Sequence, residues 1–357
     1  MKIGKYEIKH PIIQGGMGVG ISWDKLAGNV SLEGGLGVVS AVGTGYYESE
    51  NLNVTMRKGK PAEALNFYSK EGLQAIIKNA RKICGDAPLA CNVLYASNEY
   101  GRIVQDACEA GIDIIITGAG IPTNMPEFTK DYPNVALVPI VSSARALKLI
   151  CRKWKRYNRL PDAVIVEGPK SGGHQGFTYE QCFEEEFQLE NIITPVIEEA
   201  KNWGNPPIIA AGGIWDKNDI DKFLDLGCGG IQMATRFIGT YECDADPVLK
   251  KVLLDAKKDD IKLMKSPVGL PARGVSTQLQ QSIEDGTAPK VACISNCVAP
   301  CNRGVEAKEV GYCIADRLSA AYKGDLDTGL FFTGTNGYKL DKIISVHELM
   351  EKLTKGE

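Results

Sequence analysis

The sequence predicts an α/β protein, a (β/α)8 TIM barrel with an additional C-terminal lobe or lid. Three observations point there. Eight short apolar runs alternate with longer amphipathic segments, which is the pattern of parallel strands joined by helices. The 357 residues hold one barrel of about 250 residues plus an appended piece. Glycine-rich stretches follow the first, sixth and seventh runs, on the rim where a barrel carries its active site.

In chain order the runs are Ile12-Ile13-Gln14, Leu36 to Ser40, Leu89 to Leu94, Asp113 to Thr117, Val135 to Val141, Ala163 to Val166, Pro207 to Ala211 and Gly230 to Ala234. Between them, Ala62 to Cys84, Glu99 to Ala110, Ser142 to Tyr157 and Glu184 to Trp203 place apolar residues at helical spacing. An open doubly wound sheet is the alternative, and strand count with total length favours the closed barrel. After Phe237 the alternation stops. Tyr241 to Asp285 carries charged clusters with Pro247, Pro267 and Pro271 and no clear strand, which reads as a lid. Val305 to Tyr322 reads as a helix, Gly329 to Thr333 as an apolar return flanked by Gly334 and Gly337, and Ser345 to Leu353 as a closing helix with a serine N-cap. The expected organisation is a barrel over 1–240, a lobe over 241–304 with a cysteine cluster, and C-terminal helices over 305–357 that return to the barrel.

Composition narrows the function classes. With 44% hydrophobic and 24% charged residues the chain has material for a large core. A net charge of −3 and a pI near 5.8 give no basic field for nucleic acid or an anionic membrane. No apolar stretch approaches the roughly 20 residues that span a bilayer, and Met1 to Gly18 has no signal-peptide core. Eleven cysteines without a small-domain framework suit reduced thiols, so a cytoplasmic protein is expected.

The chemistry concentrates at the strand ends. His174, one of three histidines, lies in Glu167-Gly168-Pro169-Lys170-Ser171-Gly172-Gly173-His174-Gln175-Gly176, directly after the sixth run. Imidazole titrates near neutral pH, and glycines let the backbone approach a ligand. His10 and His347 have no such setting and read as a solvated loop residue and a surface helix residue. After the first run comes Gln14-Gly15-Gly16-Met17-Gly18-Val19-Gly20, whose glycines would let amides lie against a flat ring. After the seventh and eighth come Ala211-Gly212-Gly213-Ile214 and Gln232-Met233-Ala234-Thr235-Arg236, at the position of the phosphate site of many barrels. No strand leads into a G-x-G-x-x-G helix start with an acidic residue about 20 positions on. One phosphate, as in flavin mononucleotide, fits better than a tightly bound dinucleotide.

Together with Pro11 to Gly18, these motifs resemble the nitronate monooxygenase (2-nitropropane dioxygenase) family, which includes FMN-dependent enoyl-[acyl-carrier-protein] reductases. The resemblance covers about residues 1 to 240. It implies a flavoprotein oxidoreductase in which Gly212, Gly213, Gln232, Met233, Ala234 and Thr235 hold the FMN phosphate and Gly15, Gly16 and Met17 lie near the ring. It further implies that Asn92, Glu167 and Gly172 contact the flavin and that His174 is catalytic. The implied activity is oxidation of alkyl nitronates with dioxygen, a monooxygenase reaction. The alternatives are an enoyl-thioester reductase with NAD(P)H as co-substrate and a flavin-binding protein without turnover. Expected partners are the small-molecule nitronate or enoyl thioester, with a homodimer by analogy to other barrel enzymes.

Cys293, Cys297, Cys301 and Cys313 are crowded enough to suggest an iron–sulfur cluster or zinc. The first gap is one residue too long for the related spacing in dienoyl-CoA reductase barrels, and small buried hydrophobes in a reducing compartment are the favoured reading.

Overall fold

The computed structural model describes residues 1–51, 67–287, 297–299, 301 and 312–356. A short hairpin of β1 (Lys2–Ile3) and β2 (Tyr6–Glu7) precedes the barrel strand β3 (Ile12–Gln14). The other barrel strands are β4 (Gly37–Ser40), β5 (Leu89–Leu94), β6 (Ile114–Gly118), β7 (Ala136–Val141), β8 (Val164–Glu167), β10 (Ile208–Ala211) and β11 (Gly230–Met233). All eight expected strands are present, most starting one residue later than the apolar runs.

Every pairing within this sheet is parallel, and each strand lies beside its nearest barrel neighbours in the chain. A parallel bridge between Ile13 and Leu36 joins the two ends, with Gln14 N donating to Leu36 O at 3.0 Å. The sheet is therefore closed, and the open doubly wound alternative falls away.

Strand periodicity sorts the core into two layers. Ile13, Val38, Ala90, Ile114, Ile116, Val138, Ile165 and Ile209 fill the barrel interior. Ile12, Val39, Cys91, Ile115, Leu137, Val164, Ala210 and Ile231 face the surrounding helices. Ile3 and Ile8, from the hairpin and the turn after it, are buried against the inner layer.

The outer helices begin where hydrogen-bonding side chains cap them. Ser69 accepts from Gly72 N at 3.0 Å and opens the helix Lys70–Cys84; residues 62–66 of the helix expected from Ala62 lie outside the described residues. Ser143 opens Ala144–Trp154 in the same way, and Asp216 with Asp219 forms a reciprocal capping box before Lys217–Asp225. The segment from Glu184 to Trp203 is an α-helix only over Leu189–Ala200, with a 3-10 turn at each end. The closing helix Val346–Lys355 has the expected cap, Ser345 Oγ accepting from Glu348 N at 3.0 Å. It packs against helices Asp24–Leu32 and Lys217–Asp225, completing the outer layer between the last and first βα units.

The lid corrects one expectation. It contains two strands, β12 (Ile261–Met264) and β13 (Ala272–Val275), which form an antiparallel sheet with β9 (Gly173–His174). Four-residue strands separated by a proline-bearing turn give no readable alternation, and the outer partner of β13 is a two-residue segment of a distant loop. Residues 331–333 extend this sheet: Gly274 bridges Phe332, Val275 N donates to Phe331 O at 2.9 Å and Thr333 N to Arg273 O at 3.3 Å. The helix expected from Val305 is described over Ile314–Tyr322. Among the described residues no helix is long and apolar enough to cross a membrane.

Candidate active site

The last inward position on several strands breaks the apolar rule. Ala90 points into the barrel, so two residues on Asn92 does too; the same step leads from Ile165 to Glu167 and from Gly230 to Gln232. These three polar side chains form a layer at the C-terminal mouth, above the aliphatic interior. Met233, by contrast, faces the outer helical layer, so at the mouth it offers its backbone. Its carbonyl accepts from Gly15 N at 2.9 Å.

Burial sets the electrostatics of this layer. Desolvation pushes the Glu167 carboxyl up to about 7, opposed by a hydrogen bond from Ser171. Gln232 is 8% exposed, and its Oε1 is buried without a hydrogen-bond partner. An orphaned carboxamide oxygen costs about 1–3 kcal/mol unless a ligand or water satisfies it.

The first loop packs too closely on its neighbours to admit a side chain at its glycines. A Cβ on Gly16 would sit 2.5 Å from Asn92 Cβ, and one on Gly15 3.3 Å from the Gln232 side chain. The following turn is pinned by Ser22, whose Oγ accepts from Met17 N at 2.8 Å while its own N donates to Met17 O at 3.0 Å.

The loops after β10 and β11 meet the His174 loop and the C-terminal return. Gly212 and Gly213 have φ of 101° and 81°, a region open to glycine, and a Cβ on Gly213 would lie 2.9 Å from Lys170 Cβ. Thr235 Oγ1 accepts from Gly334 N at 2.9 Å and keeps its hydroxyl proton to donate. Asn336 Nδ2 donates to Gly213 O at 2.7 Å and Thr335 N to Lys170 O at 3.1 Å. Gly172 fits tightly here, since a Cβ would approach the Thr333 carbonyl carbon to 2.6 Å. Residues 172, 213, 235 and 334 thus converge on one corner of the mouth.

His174 is delivered to the rim by the β9 and β13 pairing, in register with Ala272. Gln175 braces the loop from beneath, its Nε2 donating to Ser171 O at 3.0 Å and Gly173 O at 2.9 Å. The imidazole meets Phe332 edge-on at 5.5 Å between centroids, and its Nε2 is 2.8 Å from Ser266 Oγ. Desolvation alone holds its pKa down at about 4, so the ring is neutral at pH 7 and can accept a proton. The reading of the loops did not find Ser266, Phe332 or the backbone donors of 334–336. The glycines Gly334 and Gly337 were the one visible hint.

The remaining histidines are peripheral. His347 is exposed and pairs with Glu33 at 2.9 Å, and His10 lies before β3 outside the mouth. Of the cysteine cluster, Cys293 lies outside the described residues, while Cys297, Cys301 and Cys313 are partly buried. Among the described residues no group of three or more His, Cys, Asp or Glu side chains is placed to hold a metal ion. The 297–299 segment instead packs on the loop after β5, with Ser97 bridging Val298 and Asn98 N donating to Cys297 O at 3.2 Å.

This arrangement has close counterparts. A family model described as nitronate monooxygenase matches residues 1–356. A protein of Bacillus subtilis named "probable nitronate monooxygenase" is 27% identical over 293 residues, 78% of this chain and 80% of its own length. One of the same name from Staphylococcus saprophyticus is 25% identical over 291 residues, 77% and 78% of the two chains. Among solved structures, FabK from Thermotoga maritima superposes with a TM-score of 0.71 at 26% identity, covering 98% of this chain and 93% of that one. A nitroalkane oxidase from Streptomyces ansochromogenes shares the fold, with a TM-score of 0.67 at 21% identity over 97% and 95% of the chains. The closed barrel with a histidine loop after its sixth strand and a match along its whole length agree: the chain belongs to the nitronate monooxygenase family, a family of oxidoreductases.

Proposed function

We propose that the chain is an FMN-dependent oxidoreductase that oxidises alkyl nitronates with dioxygen. The observation that carries the reading is a neutral, partly buried imidazole on the same rim as an unsatisfied buried carboxamide, Gln232, and close-packed glycines. These features fit a flat, polar-edged ring with one phosphate. Gly212, Gly213, Ala234 and Thr235, with Gln232 and the Met233 backbone, would hold the phosphate end. Gly15, Gly16 and Met17 would border the ring, with Asn92, Glu167 and Gly172 as polar and close-packed contacts. When bound, FMN supplies the one-electron chemistry between nitronate and dioxygen.

The chain's own residues do the rest. His174, held neutral, takes the α-proton of a neutral nitroalkane that enters the site. Protonating it in this desolvated setting is unfavourable until negative charge develops beside it, and a nitronate forming from its nitroalkane supplies that charge. Phe332 and the β12–β13 sheet restrict water at the imidazole. Thr235, Gly213 and the residues from 334 to 336 fix the loops around the phosphate corner.

Anaerobic mixing of the flavin-loaded protein with a preformed alkyl nitronate, or with NADH or NADPH, tests the reading. Rapid loss of the flavin absorbance with nitronate, and none with the nicotinamides, is expected. Bleaching by NAD(P)H with no response to nitronate would transfer the activity to enoyl-thioester reduction, and protein unable to bind FMN would remove both.

A further inference from the structure

The three-stranded sheet that delivers His174 has a second face. Directly paired residues of an antiparallel sheet point the same way and successive ones alternate. Ala272 pairs with His174, so Arg273, paired with Gly173 on one side and Leu263 on the other, points away from the imidazole. There it lines an open cleft of about 550 Å³, within the roughly 300–1,000 Å³ of small-molecule sites. None of the proposed flavin contacts lines this cleft, which adjoins the phosphate corner only through Lys170 and Thr335. The charge of Arg273 is unanswered there. Its residue is 6% exposed, Nη2 donates to Pro169 O at 2.8 Å, Nε is buried without a hydrogen-bond partner, and among the described residues no carboxylate pairs with it. A desolvated guanidinium is strongly unfavourable until an anion answers it. The lining adds Lys170 and, exposed on the edge strand, Lys262, and it contains no Asp or Glu. It also carries Tyr179 and Phe183, 48% and 66% exposed, with ring centroids 5.4 Å apart. Aromatic faces left in water beside a cluster of cations suit a flat ring that brings an anion with it.

We propose that this cleft is a second binding site, for a phosphate monoester carrying an aromatic base, with the phosphate at Arg273 and the base across Tyr179 and Phe183. Three cations without a carboxylate favour a dianion over a monoanion. Pro169 takes a single N–H of the guanidinium, which leaves most of its donors for phosphate oxygens. Lys170 and Lys262 add charge along the approach. Binding here is non-covalent and is independent of the nitronate reading, since the residues that carry it are not flavin contacts. It also has a structural consequence. Arg273 lies on the strand that pairs with Gly173–His174, so an occupied cleft braces the sheet that carries the histidine loop.

The test is calorimetric titration of the flavin-bearing full chain, freed of unbound FMN by gel filtration, with adenosine monophosphate, adenosine and inorganic phosphate. The nucleotide should bind about tenfold or more tightly than either fragment and leave the flavin absorbance unchanged. It should also slow backbone hydrogen exchange in peptides covering 170–183 and 261–275. Arg273→Met, which keeps the packing of the stem, should weaken the nucleotide by about tenfold or more. Phe183→Ala, at an exposed position, should weaken it by about three- to tenfold and leave inorganic phosphate binding as it was. No heat with millimolar nucleotide overturns the proposal, as does an affinity for inorganic phosphate equal to that for the nucleotide. Nucleotide binding unchanged in Phe183→Ala overturns it even where Arg273→Met fails to fold. Exchange protection confined to the barrel mouth, with loss of flavin, does so too, because it would put the nucleotide in the flavin's place.

Discussion

Replacing His174 by alanine should separate two substrates that differ by one proton. A neutral nitroalkane must lose its α-proton in the site, whereas a preformed nitronate has already lost it. Positioned proton transfer contributes roughly 10²–10⁴-fold, or about 3–5 kcal/mol of barrier, and the rim offers no second imidazole to replace it. His347 is exposed on the closing helix and His10 precedes β3. Steady-state oxygen uptake with matched neutral and anionic forms of one nitroalkane gives the ratio of the two kcat/KM values. That ratio should fall by 10²–10⁴ in His174→Ala, with the nitronate rate and the flavin content nearly intact. Equal losses for both substrates would show that the imidazole orients the bound molecule and does not take its proton. A selective loss in Glu167→Gln, with none in His174→Ala, would move the role to Glu167, another titratable group of the mouth.

Further outcomes follow from the same geometry. Gly16→Ala puts a Cβ 2.5 Å from Asn92 Cβ, an atom fixed to the β5 backbone, so loop or strand must shift: flavin retention after gel filtration should drop by at least tenfold and the thermal midpoint should fall with it, and retention equal to the unaltered protein would refute this. Gly213→Ala combines a φ of 81° with a 2.9 Å approach to Lys170 and should weaken FMN binding, measured by flavin fluorescence titration; an unaltered Kd would remove this corner from the phosphate site. Asp244 is partly buried and accepts from Trp23 N at 2.8 Å, Lys25 N at 3.2 Å and Leu26 N at 3.2 Å, capping the first barrel helix from the lobe. Asp244→Ala should cost about 1–3 kcal/mol in urea unfolding, and a loss below 0.5 kcal/mol would contradict that role. His174 also leaves a mark on stability. Its folded pKa lies near 4, below 6.5, so the unfolded chain protonates first and the fold loses stability as pH falls from about 6.5 to 4. The full loss is about 3 kcal/mol at about 1.4 kcal/mol per pH unit, and it should be absent from His174→Asn; parallel unfolding curves for the two proteins across that range would refute it.

The barrel was legible in the sequence because its strands are buried on both faces. Runs such as Ala163 to Val166 and Pro207 to Ala211 stand out as short apolar segments bounded by turn residues. The glycine loops were legible for the same local reason, each following directly on its strand. What escaped was assembled from distant pieces. β12 and β13 are four residues each and pair with one another, β13 alone also pairing with Gly173–His174, so no periodicity marks them. Ser266 lies in a lid without a motif, and Phe332 in an apolar return that reads equally well as packing. Their meaning exists only once the lid is folded over the histidine loop. The polar layer of Asn92, Glu167 and Gln232 lies between these cases: the residues were visible, while their shared inward direction needed the register of the closed sheet.

Oxygen uptake in the presence of a preformed alkyl nitronate tests the central proposal most directly. FMN-loaded protein should consume oxygen with saturable dependence on the nitronate and without NADH or NADPH, and flavin-stripped protein should not. No uptake with any alkyl nitronate, alongside NAD(P)H oxidation that depends on an enoyl thioester, would contradict it.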